Sequence, residues 1–499
     1  MKEHLIRFII PGLLILASIV AYESVKGENS LEKDKAIISY NELEQDKKDE
    51  FGFNLPVVVF DTKGQKILED NEIVANMKIY YNEGGLNYMS DKPYIDSDVN
   101  MNIRGNTTRF FPKKQYKVEL IDENGEERKE SLLGMPKESD WVFNAPFADK
   151  SLLRNYMVYN VAENIMEYSP MARFCEVFVI NDGSDSLKEE HYRGVYLIIE
   201  EIKRDENRVN IIKSQQGIDE TSFIVNKNKA KEGDIILKNY GSQTYIYDYN
   251  LVVKYPKNPT EGQMDYINRT ISEFERVLYS DKYDSPREGY IKYIDVDSFV
   301  DYYIINEFFK NTDAGIYSTY IYKNKGEKIK AGPIWDFNRA IGNFAASKED
   351  YSELRNVSGF YMAQTSWFSR LLEDKVFIDK VVARYKFLRQ TYLNDEYLIE
   401  FLDDGIETLG EAIDRNFSLW TFEICNQEDY FKTNSERFLE FNDDPRLLDE
   451  YFKNNPQALG TTIDVANNYE EEIKMLKEFI KGRGSWMDKN IENLYKLAK

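Results

Sequence analysis

Two aspartates stand on either side of a predicted β-hairpin in the second half of the chain. Asp313 follows a helical pattern in "NEFFKNTDAG", and Asp336 lies in "GPIWDFNRAIGN", where a strand is predicted to end at Ile334 and Trp335. Because the strands of a hairpin run antiparallel, the chain returns to the edge it left, and we expect both carboxylates to face one cleft. Paired carboxylates bind hard divalent cations, and with magnesium they suit phosphoryl transfer.

Phosphoryl transfer also needs cations that neutralise phosphate charge. Basic residues in the first half of the chain could supply them, namely Arg104, Lys113, Lys114 and Lys117. Taken alone, the spacing of Asp313 and Asp336 equally fits two turn or capping residues. Spacing therefore leaves both interpretations open.

The composition restricts other kinds of catalytic centre. The 499 residues include two histidines, His4 near the N-terminus and His191 in "KEEHYRGVYL", which we expect to be an exposed turn residue. Sites that need several histidines are therefore excluded. Cys175 and Cys425 are expected to be buried free thiols. The net charge of −22 argues against nucleic acid as a partner.

The N-terminus has the pattern of an export signal. Lys2 and Arg7 precede an apolar run from Phe8 to Tyr22, which Pro11 interrupts. The run is short for a membrane span, so a cleaved signal peptide and an uncleaved membrane anchor both fit. We expect residues 1–28 to be this signal or anchor, residues 29–50 to be a polar tether, and the remainder to be exported to the cell envelope or cell surface.

The rest of the chain changes its periodicity near residue 255. Before it, alternating patterns such as Val99, Met101 and Ile103 predict strands, interrupted by one helix with Asp149 as its N-cap. After it, apolar residues recur at helical spacing up to residue 499, apart from a hairpin turning at Lys325 and Gly326. The pattern predicts an α+β fold with a strand-rich part followed by a helix-rich part.

Five stretches in this order carry a resemblance to a known family. They are "NIRGNTTRFFPKKQYKVEL", "WVFNAPFADKSLLRNYMVYNVAE", "YRGVYLIIEEIKRDENRVNI", "NEFFKNTD" and "GPIWDFNRAIGN". Together they resemble the CotH family of spore-coat and cell-surface proteins, which are atypical protein kinases. The resemblance implies an atypical protein-kinase-like two-lobe fold: a strand-rich N-lobe over 51–255 and a helix-rich C-lobe over 256–499 with a helical C-terminal extension. ATP and Mg²⁺ or Mn²⁺ would bind between the lobes.

The resemblance also implies roles for single residues. Asp313 matches the catalytic-loop aspartate of the family, and Asp336 matches its metal-binding aspartate. Arg104 and Gly105 resemble a turn that approaches a phosphate. Arg154 in "SLLRNY" is similar to the family too, although it could equally be a buried residue that braces the helix.

The phosphate-contacting lysine of the family falls in "FPKKQYKVEL", where Lys114 and Lys117 are the candidates. Its ion-pair partner would be Glu200 or Glu201 in "YLIIEEI". Neighbours on a strand point to opposite faces, so only one of these two glutamates can face the site.

Two positions depart from the family pattern. Asn338 stands where the family has a second metal-binding aspartate, and Ser318 stands where it has an asparagine. A neutral amide is a weaker magnesium ligand than a carboxylate. Two functions therefore remain open: a metal-dependent kinase that phosphorylates Ser or Thr of basic, Ser-rich coat or surface proteins, and a non-catalytic surface adhesion or coat and envelope assembly protein.

Overall fold

The computed structural model describes residues 50–69, 71–106, 108–244, 250–343, 355–426, 454 and 466–499. The predicted signal or anchor, 1–28, and nearly all of the predicted tether, 29–50, lie outside the described residues. Among the helices in the described part of the chain, none is long and apolar enough to cross a membrane.

The first seven strands form a closed barrel in the order β1-β2-β3-β4-β5-β7-β6. They are β1 (Val57–Asp61), β2 (Ile73–Tyr80), β3 (Ile95–Arg104), β4 (Gln115–Ile121), β5 (Asp140–Asn144), β6 (Ala172–Ile180) and β7 (Tyr192–Glu200). A parallel pairing of β1 with β6 closes the barrel, and the other neighbours pair antiparallel. The predicted alternation is confirmed on β3, where Val99, Met101 and Ile103 are buried inside the barrel.

A second sheet of four strands has the order β11-β10-β8-β9. Its strands are β8 (Phe223–Asn228), β9 (Asn250–Tyr255), β10 (Thr319–Lys323) and β11 (Ile329–Ala331). This sheet joins strands from both sides of residue 255. The predicted hairpin of β10 and β11 is confirmed. Its second strand ends at Ala331, however, and the expected extension to Trp335 is wrong, because Pro333 has no N–H to donate to a ladder.

The helices follow mainly in the second half of the chain. They are α1 (Arg154–Ala162), α2 (Tyr240–Gln243), α3 (Glu261–Leu278), α4 (Val296–Phe308), α5 (Ser366–Leu371), α6 (Lys375–Leu388), α7 (Asp395–Leu409), α8 (Ala412–Leu419), α9 (Phe422–Cys425) and α10 (Tyr469–Asn490). One continuous apolar core joins α1, the second sheet and α3 to α8 with α10. The predicted α+β class is confirmed, with a barrel that the sequence patterns did not predict.

The predicted start of α1 is wrong. The helix begins at Arg154 instead of following Asp149, because Leu152 takes a left-handed backbone conformation with φ of 64°. Asp149 still pairs with an N–H at the start of the helix that has no partner within the helix, since its Oδ2 accepts the backbone N–H of Arg154 at 2.9 Å.

The single histidine of the described residues is buried, so the expectation that His191 is exposed is wrong. It is 2% exposed at the end of a short 3₁₀ turn, Glu189–His191. Its Nδ1 accepts the N–H of Lys188 at 3.0 Å, and its Nε2 lies 3.2 Å from Asp182. These contacts allow a polar ring to be buried. Cys175 and Cys425 are buried free thiols, as predicted.

Candidate active site

A cleft of about 460 Å³ lies where the ends of barrel strands β3 and β4 meet the second sheet. Its lining includes Arg104 and Lys117 from the barrel and Asn155 from α1. The loops after α4 and β11 contribute Asp313 and Asp336. The two aspartates predicted to share one cleft therefore do so.

Asp336 is held in a strained backbone conformation. Its φ is 64°, in the left-handed region that residues other than glycine seldom adopt. Its N–H donates to Oη of Tyr159 at 2.9 Å, and its carbonyl accepts from Nδ2 of Asn311 at 3.2 Å. The next residue, Phe337, is fully buried, and its N–H donates to Oδ1 of Asn155 at 2.8 Å. Such strain persists only where surrounding contacts determine the geometry, and it is concentrated at functional sites.

The carboxylate of Asp336 is electrostatically unusual. Burial and the negative charge of Asp313 together raise the pKa of Asp336 to about 6, against the opposing effects of Arg339 and Arg104. Repulsion between two neighbouring carboxylates falls when a divalent cation binds between them. The side-chain oxygens of Asp336 and Asn338, with the carboxylate of Asp313 beside them, are donors of the kind that fits Mg²⁺ or Mn²⁺.

A row of amide side chains holds the loop of Asp336 in place. Nδ2 of Asn338 donates to Oδ1 of Asp336 at 2.6 Å. Oδ1 of Asn338 accepts from Nδ2 of Asn155 at 2.6 Å. Asn155 also donates to Asn144, which in turn donates to Gln115 at the start of β4. The row therefore connects the loop of Asp336 to helix α1 and to the barrel.

The loop that carries Asp313 is tied to the loop of Asp336. Asn311 accepts the N–H of Asp313 at 3.2 Å through Oδ1 and donates through Nδ2 to the carbonyl of Asp336. Behind the loop, Nζ of the buried Lys227 on β8 donates to the carbonyl of Gly315 at 2.9 Å and to Oγ of Ser366 at 2.8 Å. Burial lowers the pKa of Lys227 to about 7. Sequence reasoning did not identify Asn311 or Lys227.

Arg104 and Lys117 lie in the cleft as expected. The guanidinium of Arg104 lies 5.4 Å from the ring centroid of Trp335, next to Asp336. Nζ of Lys117 lies 3.2 Å from Glu72. Burial lowers the pKa of Lys117, but the charges of Glu201, Asp140 and Glu72 raise it more strongly, so Lys117 stays cationic. Glu72 is therefore the ion-pair partner of Lys117. Glu201, just after β7, is a further acidic neighbour that does not line the cleft.

Lys114 and Glu200 do not line the cleft. Lys114 is buried, and its Nζ donates to the carbonyl of Arg109 at 2.8 Å. Glu200 faces the opposite side from Glu201 and forms a buried ion pair of 2.7 Å with Arg208. Lys113 is buried too, and its Nζ donates to the carbonyl of Val195 and to Asn416. The alternation of a strand separates Glu200 from Glu201, and sequence reasoning could not decide which one faces inward.

Arg154 braces the fold. Its guanidinium is buried and pairs with Asp149 at 2.6 Å and with Glu472 of α10 at 2.7 Å. It also donates to the carbonyls of Ala340 and Ile341, just after the loop of Asp336. Arg154 therefore connects α10 to the loop that follows Asp336.

Comparison with known protein families identifies the family to which the chain belongs. Residues 101–487 match the family model described as CotH kinase protein. The chain belongs to the CotH kinase family. The match begins inside β3 and ends inside α10, so it includes the cleft and the bracing helix. Comparison with curated proteins gave no match.

The two departures from the CotH pattern both lie in the cleft. Asn338 is held between Asp336 and Asn155, and Ser318 takes a left-handed backbone conformation with φ of 49°. An asparagine or glycine tolerates that conformation better than serine does.

The cleft of this CotH family member has further cations that sequence reasoning missed. They are Lys229, Lys231, Lys254 and Arg339. The segment "NKNKAKEGD" does contain a signal, since Lys227, Lys229 and Lys231 alternate as residues on one face of a strand do. The sequence does not show that these lysines lie near Asp313, because their proximity depends on the pairing of β8 with β10.

Proposed function

We propose that this CotH family member is a metal-dependent atypical protein kinase, which transfers the γ-phosphoryl group of ATP to Ser or Thr hydroxyls of proteins. The supporting observation is the convergence of Asp313 and Asp336 in one cleft with Arg104 and Lys117. The barrel would serve as the N-lobe and the helical part as the C-lobe of a two-lobe kinase.

The residues divide into three roles under this proposal. Asp336 and Asn338 would hold Mg²⁺ or Mn²⁺, which orients the phosphates and neutralises charge when bound. Arg104 and Lys117 would contact phosphate oxygens. Glu72, which lies 3.2 Å from Lys117, would keep Lys117 in place together with the charge of Glu201, in the role expected for Glu200 or Glu201.

Asp313 would orient the acceptor hydroxyl and take its proton. The hydroxyl oxygen forms a bond to the γ-phosphorus while the bond from that phosphorus to the bridging oxygen breaks, and ADP leaves. Lys227 would fix the loop of Asp313 from behind, and Asn311 would keep the spacing between the two aspartates.

The acceptor belongs to the proposal as well. The acidic chain, with a net charge of −22, would attract basic, Ser-rich proteins of the cell surface or spore coat over a distance. A non-catalytic adhesion or assembly role is the second candidate. The neutral Asn338, already hydrogen-bonded to Asp336, favours it, because a weaker metal site would slow or prevent transfer.

One experiment separates the two candidates. Thermal unfolding of the chain is followed with ATP, Mg²⁺ and Mn²⁺, singly and together, and transfer of ³²P from labelled ATP to Ser-containing peptides is measured in parallel. A ligand at about 100 times its Kd stabilises a protein by about 2.7 kcal/mol. A kinase shows a shift that needs nucleotide and metal together, and it transfers phosphate.

The Asp336→Ala variant should lose both the shift and the transfer. Asp265→Ala, a change at an exposed residue of α3, is the matched control and should keep both. A shift without transfer under any condition would favour the adhesion or assembly role. If no combination of ligands shifts the unfolding temperature, the cleft does not bind nucleotide.

A further inference from the structure

Two lysines of the segment that connects β8 to β9, and one lysine on β9, lie at the edge of the cleft. Nζ of the exposed Lys229 lies 5.0 Å from the ring centroid of Tyr317. Nζ of Lys231 donates to the carbonyl of Gly105 at 3.2 Å. Lys254 on β9 lies 3.6 Å from Asp234. These residues, Lys229, Lys231 and Lys254, are called the lysine edge.

Lys229 lies beside the loop that carries Asp313. The backbone N–H of Tyr317 donates to the carbonyl of Asp313 at 2.6 Å, so the ring under Lys229 belongs to the same turn. Lys231 lies at the opposite side of the cleft, next to Gly105 and Arg104. The lysine edge therefore reaches from the proposed phosphate turn to the place where an acceptor hydroxyl would meet Asp313.

The local charge is opposite to that of the whole chain. Burial lowers the pKa of Lys231, and the positive charges of Arg109, Arg104 and Lys254 lower it further, with Asp234 acting against them. Crowded cations repel one another until an anion binds. Two divalent ions neutralise much of the triphosphate charge in kinases, and Arg104 and Lys117 supply more. Lys229 instead lies over the turn that carries Asp313, which is where the acceptor of the proposed reaction would bind.

We propose that the lysine edge, through Lys229 at its Asp313 end, binds an anionic side chain of the acceptor, a carboxylate or a phosphate, close to the hydroxyl that is phosphorylated. The identity of that hydroxyl rests on the proposed kinase function. The acceptor would thus combine a basic overall charge, attracted at long range, with an acidic group beside its target residue. Salt screens exposed charges that are more than about 8–10 Å apart. Added salt should therefore weaken the long-range attraction more than the direct contact with the lysine edge.

Binding of peptides to the full chain tests this proposal without requiring turnover. Fluorescent peptides with one central serine, flanked by Glu, phosphoserine, Gln or Lys, are titrated by anisotropy in the presence of Mn²⁺ and a non-hydrolysable ATP analogue. We expect the Glu or phosphoserine peptide to bind about 3- to 10-fold more tightly than the Gln peptide, as for a partly exposed charge pair. The better of the two identifies the anion as carboxylate or phosphate.

The Lys229→Gln variant should remove this preference while leaving the Kd of a fluorescent ATP analogue unchanged. Lys238→Gln changes an exposed lysine of the same connecting segment that does not line the cleft, and it should behave like the original chain. Equal binding of all peptides, tighter binding of the Lys peptide, or an unchanged preference in Lys229→Gln would overturn the proposal. A loss of nucleotide affinity alone would assign Lys229 to the nucleotide, and would overturn it too.

The result that would contradict the proposed kinase function differs from the result that would contradict the role of the lysine edge. If the acidic preference depends on Lys229 but no ³²P reaches any peptide, the chain has an anion-binding edge without transferase activity. If ³²P is transferred without an acidic preference, the kinase stands and the lysine edge does not select the acceptor.

Discussion

The side-chain amide of Asn338 donates a 2.6 Å hydrogen bond to the carboxylate of Asp336. Two residues expected to hold metal are therefore bonded to each other, and the donor group of Asn338 stabilises the charge of Asp336. A family aspartate at this position would repel Asp336 instead. We therefore expect the hydrogen bond to stabilise the loop without metal and to lower the affinity of the loop for metal.

Replacing Asn338 with Asp should lower the stability of the metal-free protein and raise its affinity for metal. Without metal, a new carboxylate beside Asp336 adds repulsion, and we expect a loss of about 1–3 kcal/mol in the free energy of unfolding. With Mn²⁺, a second carboxylate ligand should tighten binding, measured by calorimetric titration. Asn338→Ala is the control, because it removes the hydrogen bond without adding charge. Unchanged or weaker Mn²⁺ binding in Asn338→Asp would contradict the assignment of this position as a metal ligand.

Metal binding should depend on the ionisation of Asp336. Because the pKa of Asp336 is raised to about 6, protons compete with the cation below this pH. The stabilisation by Mn²⁺ with nucleotide should be full at pH 8 and should decline as the pH falls through 6, which thermal unfolding in a series of buffers measures. A dependence that begins only below pH 4 would mean that Asp336 is not the ligand that titrates.

The same pKa predicts how stability without ligand varies with pH. The unfolded carboxyl ionises near 3.8 and the folded one near 6, so the folded state binds more protons between these values and stability falls as the pH rises through them. Asp336→Asn keeps an acceptor for Asn338 and removes the charge. Its free energy of unfolding should exceed that of the original chain by about 1–3 kcal/mol at pH 8, and the difference should shrink towards pH 4. If the difference in free energy of unfolding does not vary with pH, burial of the Asp336 charge is not its cause.

Lys227 should act on the rate through the loop of Asp313. Lys227→Met leaves the carbonyl of Gly315 without its donor, so we expect kcat to fall about 10-fold or more while KM for ATP stays near its original value. Lys323→Met is the matched control, since Lys323 is a buried lysine on the neighbouring strand β10 whose Nζ donates to the carbonyl of Asn324.

Both lysine variants should lower Tm, and only Lys227→Met should lower kcat. Hydrogen exchange of the Gly315 amide, which donates to Thr319 at 2.7 Å, gives a readout that does not depend on activity. Faster exchange at this amide in Lys227→Met alone would agree with loop positioning. Equal kcat and equal exchange in the two variants would show that Lys227 contributes stability only.

Several particular elements could be predicted because their signals are local. Alternation on β3 follows from neighbouring residues, and so does the helical spacing of α3 and α4. The approach of Asp313 to Asp336 was also predicted, because one antiparallel hairpin separates them. The end of that hairpin was missed, since a single proline outweighed the apolar pattern up to Trp335.

Other features depended on contacts between distant parts of the chain. The barrel closes through β1 and β6, and Arg154 meets Glu472 across most of the sequence. Neither pairing leaves a periodic signal. The choice between Lys114 and Lys117 belongs to the same class, because it depends on which way the strand faces and on what covers each face.

The sequence by itself determined the elements, the α+β class, the burial of both cysteines and the pair of aspartates, since propensity, period and turn chemistry act over a few residues. The tertiary structure decided the closed barrel, the pairing of Lys117 with Glu72, the burial of His191 and the position of Lys229 next to the loop of Asp313. These features depend on packing and electrostatics between residues far apart in the chain, and such interactions exist only once the chain has folded.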